Sequence, residues 1–329
     1  AEEAALSISG LSVSDSNGNL ASTQLSVSHG TLHVRLTEGA TISVGANDSA
    51  SLTLSGTATQ INAALASLKY TGVLNYNGAD TLTIVSKDSA GTPLQDSDTV
   101  AITLTAVNDA PAVNTSTVVS MNAVNEDAAT PVGVVGTLVS DLFGAVTDAD
   151  ASAVKGLAIT GVNGNGTLHY STDGGTTWAM ASGTLSDSNA LLLDGANRIY
   201  FKPSLNWNGT VDNAFLFRAW DQTNNAIVGS QVGITATGGI GGSAAYSSGY
   251  SKIGITVNAV NDAPVLADTV LSLPAVLQGA TAPVNGTAVG TLVSSLVGGI
   301  TDVDSGAVKG IAITGVNTGG TLYYSLDGG

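Results

Sequence analysis

Residues 154–175 read VKGLAITGVNGNGTLHYSTDGG and residues 308–329 read VKGIAITGVNTGGTLYYSLDGG, identical at 17 of 22 positions. Self-similarity at long range marks a chain built from repeated units, each one supersecondary structure. A second mark brackets the first, because Ala-Val-Asn-Asp-Ala-Pro at 106–111 recurs unchanged at 259–264. Working outward, Asn75-Tyr76-Asn77-Gly78 pairs with Asn206-Trp207-Asn208-Gly209. Ser14-Asp15-Ser16-Asn17 likewise pairs with Thr147-Asp148-Ala149-Asp150 and with Thr301-Asp302-Val303-Asp304. These marks predict a first module over 1–107, a connector at 108–111 and a longer module over 112–260. A second connector follows at 261–264, and then a third, shorter stretch, 265–329, that repeats the second module. The extra length of the middle unit lies in a Gly/Ser/Ala/Tyr-rich insert at 229–250, expected to be a long loop or an extra hairpin. Because the sequence opens at Ala-Glu-Glu and closes inside a repeat, the reading is of a piece of a longer chain.

The local pattern is β. Apolar and polar residues alternate over 24–27, 31–36, 51–54, 81–85 and 99–105, and again over 156–162, 167–171, 198–202, 214–220 and 252–257. Alternation of period two puts one face of each segment into a core. Asn-Gly pairs at Asn17, Asn77, Asn163, Asn165, Asn208 and Asn285 predict hairpin turns. One short helix is expected at 59–67, where Ile61, Leu65 and Leu68 share a face. Many short strands with frequent turns give an all-β chain of β-sandwiches joined end to end.

Composition narrows the function. Nine Lys plus Arg stand against 25 Asp plus Glu, a net charge of −16. Such a chain repels phosphate backbones, so nucleic-acid binding is excluded. No apolar run reaches the roughly 18 residues of a membrane span, so no insertion of this segment is expected. Cysteine is absent, which removes disulfides, zinc–thiolate sites and cysteine nucleophiles together. No Gly-x-Ser-x-Gly elbow and no phosphate loop between a strand and a helix is present. His29 and His33 are four apart on or beside one strand but have no third ligand nearby in the sequence. Asp pairs recur at unit boundaries, whereas a glycosidase would carry one carboxylate pair. The enzyme readings are therefore set aside. Trp220 is expected in a core, and Tyr246 and Tyr250 either as exposed contacts or as clamps on the insert.

The carboxylates are the informative residues. A hard divalent cation takes six to eight oxygens from carboxylates, amides, carbonyls and water. Loops of a sandwich gather at its two poles, so Asn108, Asp109, Asp148, Asp150 and Asp221 are expected to meet where the first connector enters the second module. Two carboxylates about 5 Å apart repel by roughly 3 kcal/mol at an effective dielectric near 20, which a cation would offset.

The Val-Asn-Asp-Ala-Pro connectors, the Asp-x-Asp loops and the Asn-Tyr-Asn-Gly pattern resemble cadherin-like repeats of large bacterial surface adhesins of the RTX type. The resemblance implies Ig-like or cadherin-like sandwiches with Ca2+ between consecutive units, and the oxygen demand of the ion suggests one or two ions per junction. Carried over by motif, it implies that Asp148, Asp150 and Asp221 cap the first junction, with Asn108 and Asp109 from the connector and Glu2 reaching forward. The second junction takes Glu126, Asn261, Asp262, Asp302 and Asp304, and Asp15, Asn17 and Asp88 would serve a junction upstream. Where the second module has Glu126 and Asp127, the third has Gln278 and Gly279, so its forward junction loses carboxylates.

The implied role is a non-enzymatic, calcium-stiffened spacer in cell adhesion or biofilm, secreted to the bacterial cell surface. Its implied partners are neighbouring modules of the same chain, a host, cell-surface or glycan ligand, or a second copy. Two other readings stand beside it. One is a subunit of a self-assembling surface filament or sheath; the other is a glycan-binding accessory module of a secreted enzyme that uses the insert.

Overall fold

A computed structural model describes residues 1–2, 4–267 and 270–328. Strands β1 (Leu6–Ser7), β2 (Leu20–Ser26), β3 (Gly30–His33), β4 (Thr41–Gly45), β5 (Ser51–Ser55), β6 (Lys69–Gly72), β7 (Gly78–Asp88) and β8 (Gln95–Leu104) form the first unit with helix α1 (Ala58–Leu65). Three strands in the order β1-β6-β3 face five in the order β4-β5-β2-β7-β8. Leu25, Leu52, Leu54 and Leu82 of the larger sheet meet Leu32 and Tyr70 of the smaller in one core. α1 begins where it does because Thr57 and Gln60 form a reciprocal capping box that satisfies free amides of the first turn. Its Ile61, Ala64 and Leu65 close one side of that core.

The next stretch has more and longer strands. They are β9 (Ala112–Val113), β10 (Val118–Ser120), β11 (Val124–Asn125), β12 (Thr137–Leu138), β13 (Val146–Thr147), β14 (Gly156–Val162) and β15 (Gly166–Ser171). Then come β16 (Ala179–Met180), β17 (Ala190–Asp194), β18 (Arg198–Pro203), β19 (Gly209–Trp220), β20 (Gln231–Val232) and β21 (Ser251–Asn258). The order β10-β21-β19-β14-β17-β20, with β11 also on β21, packs against the order β12-β18-β15-β16. Leu157, Ile159, Phe215, Phe217 and Ile253 from the first sheet meet Leu168, Ile199 and Phe201 from the second.

The larger sheet is buried on both faces. Successive residues of β17, Ala190 through Leu193, are all buried, which alternation alone would not produce. The outer face, Ala158, Leu192 and Trp220, is covered by the insert through Ile234, Ala245 and Tyr246. The insert is therefore a packed cap with little regular structure rather than a hairpin, and Tyr246 is fully buried, not an exposed contact.

Two other expectations change. The Asn-Gly pairs do not close hairpins: Gly78 and Gly209 open β7 and β19 at φ 133 and 131°, after Asn75 and Asn206 in the left-handed region at φ 60 and 55°. The Asn163–Gly166 turn links strands of opposite sheets. The second change is in 302–328, which repeats β14 and β15 in sequence but carries no strand there. In the middle unit those strands pair with β17, β18 and β19, and residues 302–328 have no such neighbours. What forms is one small ladder, β22 (Val265–Leu266) with β23 (Ile300–Thr301). Among the described residues no helix is long and apolar enough to cross a membrane.

Candidate metal-binding junctions

The ends of the sheets decide which side chains meet. In the first unit β7 pairs with β8 through Gly78–Leu104 at one pole, whereas Leu20 faces Asp88 at the other. Glu2 lies at the former pole, where its N–H donates to the Thr105 carbonyl at 3.0 Å. Glu2 is 2% exposed, and its Oε1 accepts the Val107 N–H at 2.7 Å. The chain then turns through the connector into the next unit, and the Asp109 N–H donates to Asp150 Oδ2 at 2.9 Å. Asp148 Oδ1 accepts the Asp150 N–H at 3.0 Å, holding the Asp-x-Asp loop in a tight turn. Asn108 Nδ2 donates to Asp221 Oδ2 at 2.8 Å, and Asp221 Oδ1 accepts the Thr223 N–H and hydroxyl. All six residues expected at this seam, Glu2, Asn108, Asp109, Asp148, Asp150 and Asp221, are thus brought to it, by main-chain N–H bonds to the carboxylates and by the Asn108–Asp221 side-chain bond. Val107, Asn108, Asp150, Asp221 and Thr223 border a cleft of about 440 Å³.

These bonds leave a surplus of negative oxygen. Glu2 Oε2, Asp109 Oδ2 and Asp148 Oδ2 are buried without a hydrogen-bond partner. Burial raises the Asp109 carboxyl above its usual value, and the neighbouring charges of Asp150 and Glu2 add to it. Asp148 is likewise raised, first by burial; the charges of Asp150, Asp221 and Asp109 add to this and the Asp150 N–H works against it. Buried carboxylate oxygens are ordinarily paired, and an unpaired one carries the full desolvation penalty. Among the described residues no cationic side chain forms an ion pair at this seam; the ion pairs are His29–Asp80, His33–Asp48 and Arg218–Asp187, all elsewhere.

The second seam repeats four of these bonds. The Glu126 N–H donates to Asn258 O at 2.9 Å, and Glu126 Oε1 accepts the Val260 N–H at 2.7 Å. The Asp262 N–H donates to Asp304 Oδ2 at 2.8 Å, and the Asp304 N–H to Asp302 Oδ1 at 3.0 Å. Asp262 Oδ2 is again buried and unpartnered. Its carboxyl is raised by burial and by Asp127, Asp304, Glu126 and Asp302 in that order. Asn261 differs from Asn108: it is exposed, and its amide donates only to the adjoining Asp262 carbonyl at 2.9 Å.

Asn208 joins this seam without having been expected there, and Asp127, noted in the sequence beside Glu126, lies at it too. Asn208 Nδ2 donates to Glu126 Oε2 at 2.8 Å, and the Asn206 N–H to Asp127 Oδ1 at 2.7 Å. The sequence signal was the Asn-x-Asn-Gly motif, whose left-handed first residue aims these donors at the acidic pair. At the far pole of the first unit, Asp15 Oδ1 accepts the Asn17 and Asn19 N–H groups at 2.8 and 3.2 Å. Asp88 Oδ1 accepts from Ala90 and Leu94, and Ser89 N–H reaches Asn19 O, so the two loops adjoin. Asp15, Asn17 and Asp88 therefore share one pole.

Among the described residues no three His, Cys, Asp or Glu side chains by themselves enclose a point where a metal could sit. A hard cation also draws on carbonyl, amide and water oxygens, so the fit rests on the donor chemistry and the unpartnered oxygens. Both agree with Ca2+ and disagree with a soft metal, since the seams contain no sulfur or imidazole. The histidines stay apart: His29 stacks on Tyr76 at 4.0 Å, and His33 Nδ1 lies 3.1 Å from Asp48.

The family described as Protein GAMETE EXPRESSED 2 domain matches residues 7–96. No curated protein matches the chain. Among solved structures, Protocadherin Gamma B2 extracellular cadherin domains 1-5 is 15% identical with a TM-score of 0.37, over 86% of this chain and 40% of that one. Protocadherin Gamma B7 extracellular cadherin domains 1-4 is 14% identical with a TM-score of 0.34, over 76% and 46%. Mouse clustered PcdhgC3 EC1-3 is 17% identical with a TM-score of 0.30, over 73% and 56%. The chain thus spans less than two thirds of each of these.

Proposed function

We propose that this chain is a non-enzymatic, extracellular adhesion segment: a tandem row of β-sandwiches whose Asn-Asp-Ala-Pro seams are set by Ca2+. The observation that carries the reading is the pair of similar seams, with three buried carboxylate oxygens that lack a partner at the first and one at the second. At the first seam Glu2, Asn108, Asp109, Asp148, Asp150 and Asp221 would hold one or two ions. At the second, Glu126, Asn261, Asp262, Asp302 and Asp304 would do so, with Asp127 beside them. Asp15, Asn17 and Asp88 would serve a further seam at the opposite pole of the first unit.

A bound cation would supply positive charge that offsets the carboxylate repulsion at the seam. The protein's own contribution is orientation: the Val107, Asp109 and Asp150 N–H groups each fix one carboxylate oxygen and leave the other free. A seam fixed this way suits a spacer on a bacterial cell surface, holding a binding tip away from the cell or joining cells in a biofilm. The glycan-binding alternative loses one of its proposed contacts, because Tyr246 is buried against Trp220. Thermal melting with calcium and then with a chelator tests the reading. A rise in melting temperature with calcium that chelation reverses is expected, and identical curves would overturn it.

A further inference from the structure

The insert at 229–250 does more than cover one face of its sheet, because its tip lies on the connector. The Ala110 N–H donates to Gly242 O at 2.7 Å. Asn108 Nδ2 lies 3.4 and 3.3 Å from the Ser243 and Ala244 carbonyls, and the Asp221 N–H donates to Ala245 O at 3.1 Å. Two residues of the connector are therefore held by main-chain oxygens of the next unit. Consecutive glycines make this geometry accessible: Gly241 and Gly242 both sit in the left-handed region, at φ 70 and 59°.

The tip is carried on a firm base. Tyr246 is fully buried, stacks on Trp220 and accepts from Asn224 Nδ2 at 2.9 Å. Arg218, its side chain 7% exposed, donates to the Ser247 and Ser248 carbonyls at 3.0 and 2.7 Å. Asp187 pairs with Arg218 at 2.9 Å, and the Tyr250 ring lies 3.7 Å from the guanidinium. In the first unit the corresponding connection, between β7 and β8, is only residues 89–94. At the same place in the second connector Ala263 is exposed, and among the described residues its N–H donates to no backbone carbonyl.

We propose that the insert is an intramolecular clasp that docks onto the first connector and holds that seam without a cation. The first seam is then fixed by the clasp as well as by its carboxylates. The clasp goes beyond the calcium reading and does not depend on it.

Amide hydrogen exchange of the whole chain in chelator, read by NMR, tests this with an internal control. Ala110 and Ala263 sit in identical Asn-Asp-Ala-Pro sequences, so their intrinsic exchange rates match. The clasp predicts that the Ala110 amide exchanges at least about tenfold more slowly than the Ala263 amide, as a bonded amide opens only by local unfolding. Equal rates would overturn it. The variant Gly242→Val adds a Cβ that meets nothing within 4 Å but strains the left-handed backbone. It is expected to bring Ala110 to the Ala263 rate while the near-ultraviolet signal of stacked Trp220 and Tyr246 is kept. Continued slow exchange of Ala110 in that variant would also count against the clasp. Adding calcium separates the two readings, since an unchanged spectrum would remove the calcium reading and leave the clasp standing.

Discussion

Asp148 has one carboxylate oxygen committed to the Asp150 N–H and the other buried with no partner. Its ionised form is thus costly in the metal-free chain and useful in the calcium-bound one. Asp148→Asn is accordingly expected to stabilise the chain in chelator by about 1 kcal/mol, roughly 2–4 °C in melting temperature for a unit of this size. With calcium present the same variant is expected to melt below the wild type, and melting curves in both buffers check the reversal of sign. Asp187 behaves oppositely. The Arg218 guanidinium holds its carboxyl below the ordinary value of 3.8, so its folded form loses protons more readily than its unfolded form. Its contribution is complete above that value and lost as pH falls through the folded pKa. Asp187→Asn is expected to cost about 2–3 kcal/mol at neutral pH, below the range for a fully buried pair because Asp187 is 30% exposed. The cost should shrink in acid, as denaturant titration at several pH values would show. The carboxylates at the seams were legible in the sequence because their motifs recur. Arg218 was not, since a lone basic residue in an apolar strand has no pattern to announce it.

At the scale of elements, α1 starts at a capping box, and Thr57→Ala is expected to cost about 1 kcal/mol, measurable by urea unfolding. The insert should be more sensitive. Tyr246→Ala removes a fully buried ring and is expected to cost about 3–5 kcal/mol, with loss of the near-ultraviolet signal of Trp220. Strand positions were readable from period-two alternation, and the helix from its apolar face. The double burial of β14 and β17 was only hinted at by the run Leu191-Leu192-Leu193, because what covers the outer face is a segment without periodicity. Asn-Gly pairs misled for a related reason. The same dipeptide that suits a two-residue hairpin turn also suits the left-handed entry to a long strand, and local sequence does not separate the two. The segment 308–328 shows the limit from the other side. It carries nearly the sequence of β14 and β15, yet without neighbouring strands its alternating face has nothing to pack on.

For the whole molecule, the claim that matters is that oxygen-rich loops of successive units meet across each connector and share a cation. Loops gathering at a sandwich pole predicted that Asn108, Asp109, Asp148, Asp150 and Asp221 meet, the resemblance implied Glu2 and the second set, and hydrogen bonds link residues of each set. Calorimetric titration of the whole chain with calcium tests the claim most directly. The account predicts saturable binding of at least one ion at each seam. The paired variant Asp148→Asn with Asp150→Asn should remove the first-seam portion of that binding and leave the second. A flat titration of the wild-type chain, with no heat and no saturation, would contradict the account.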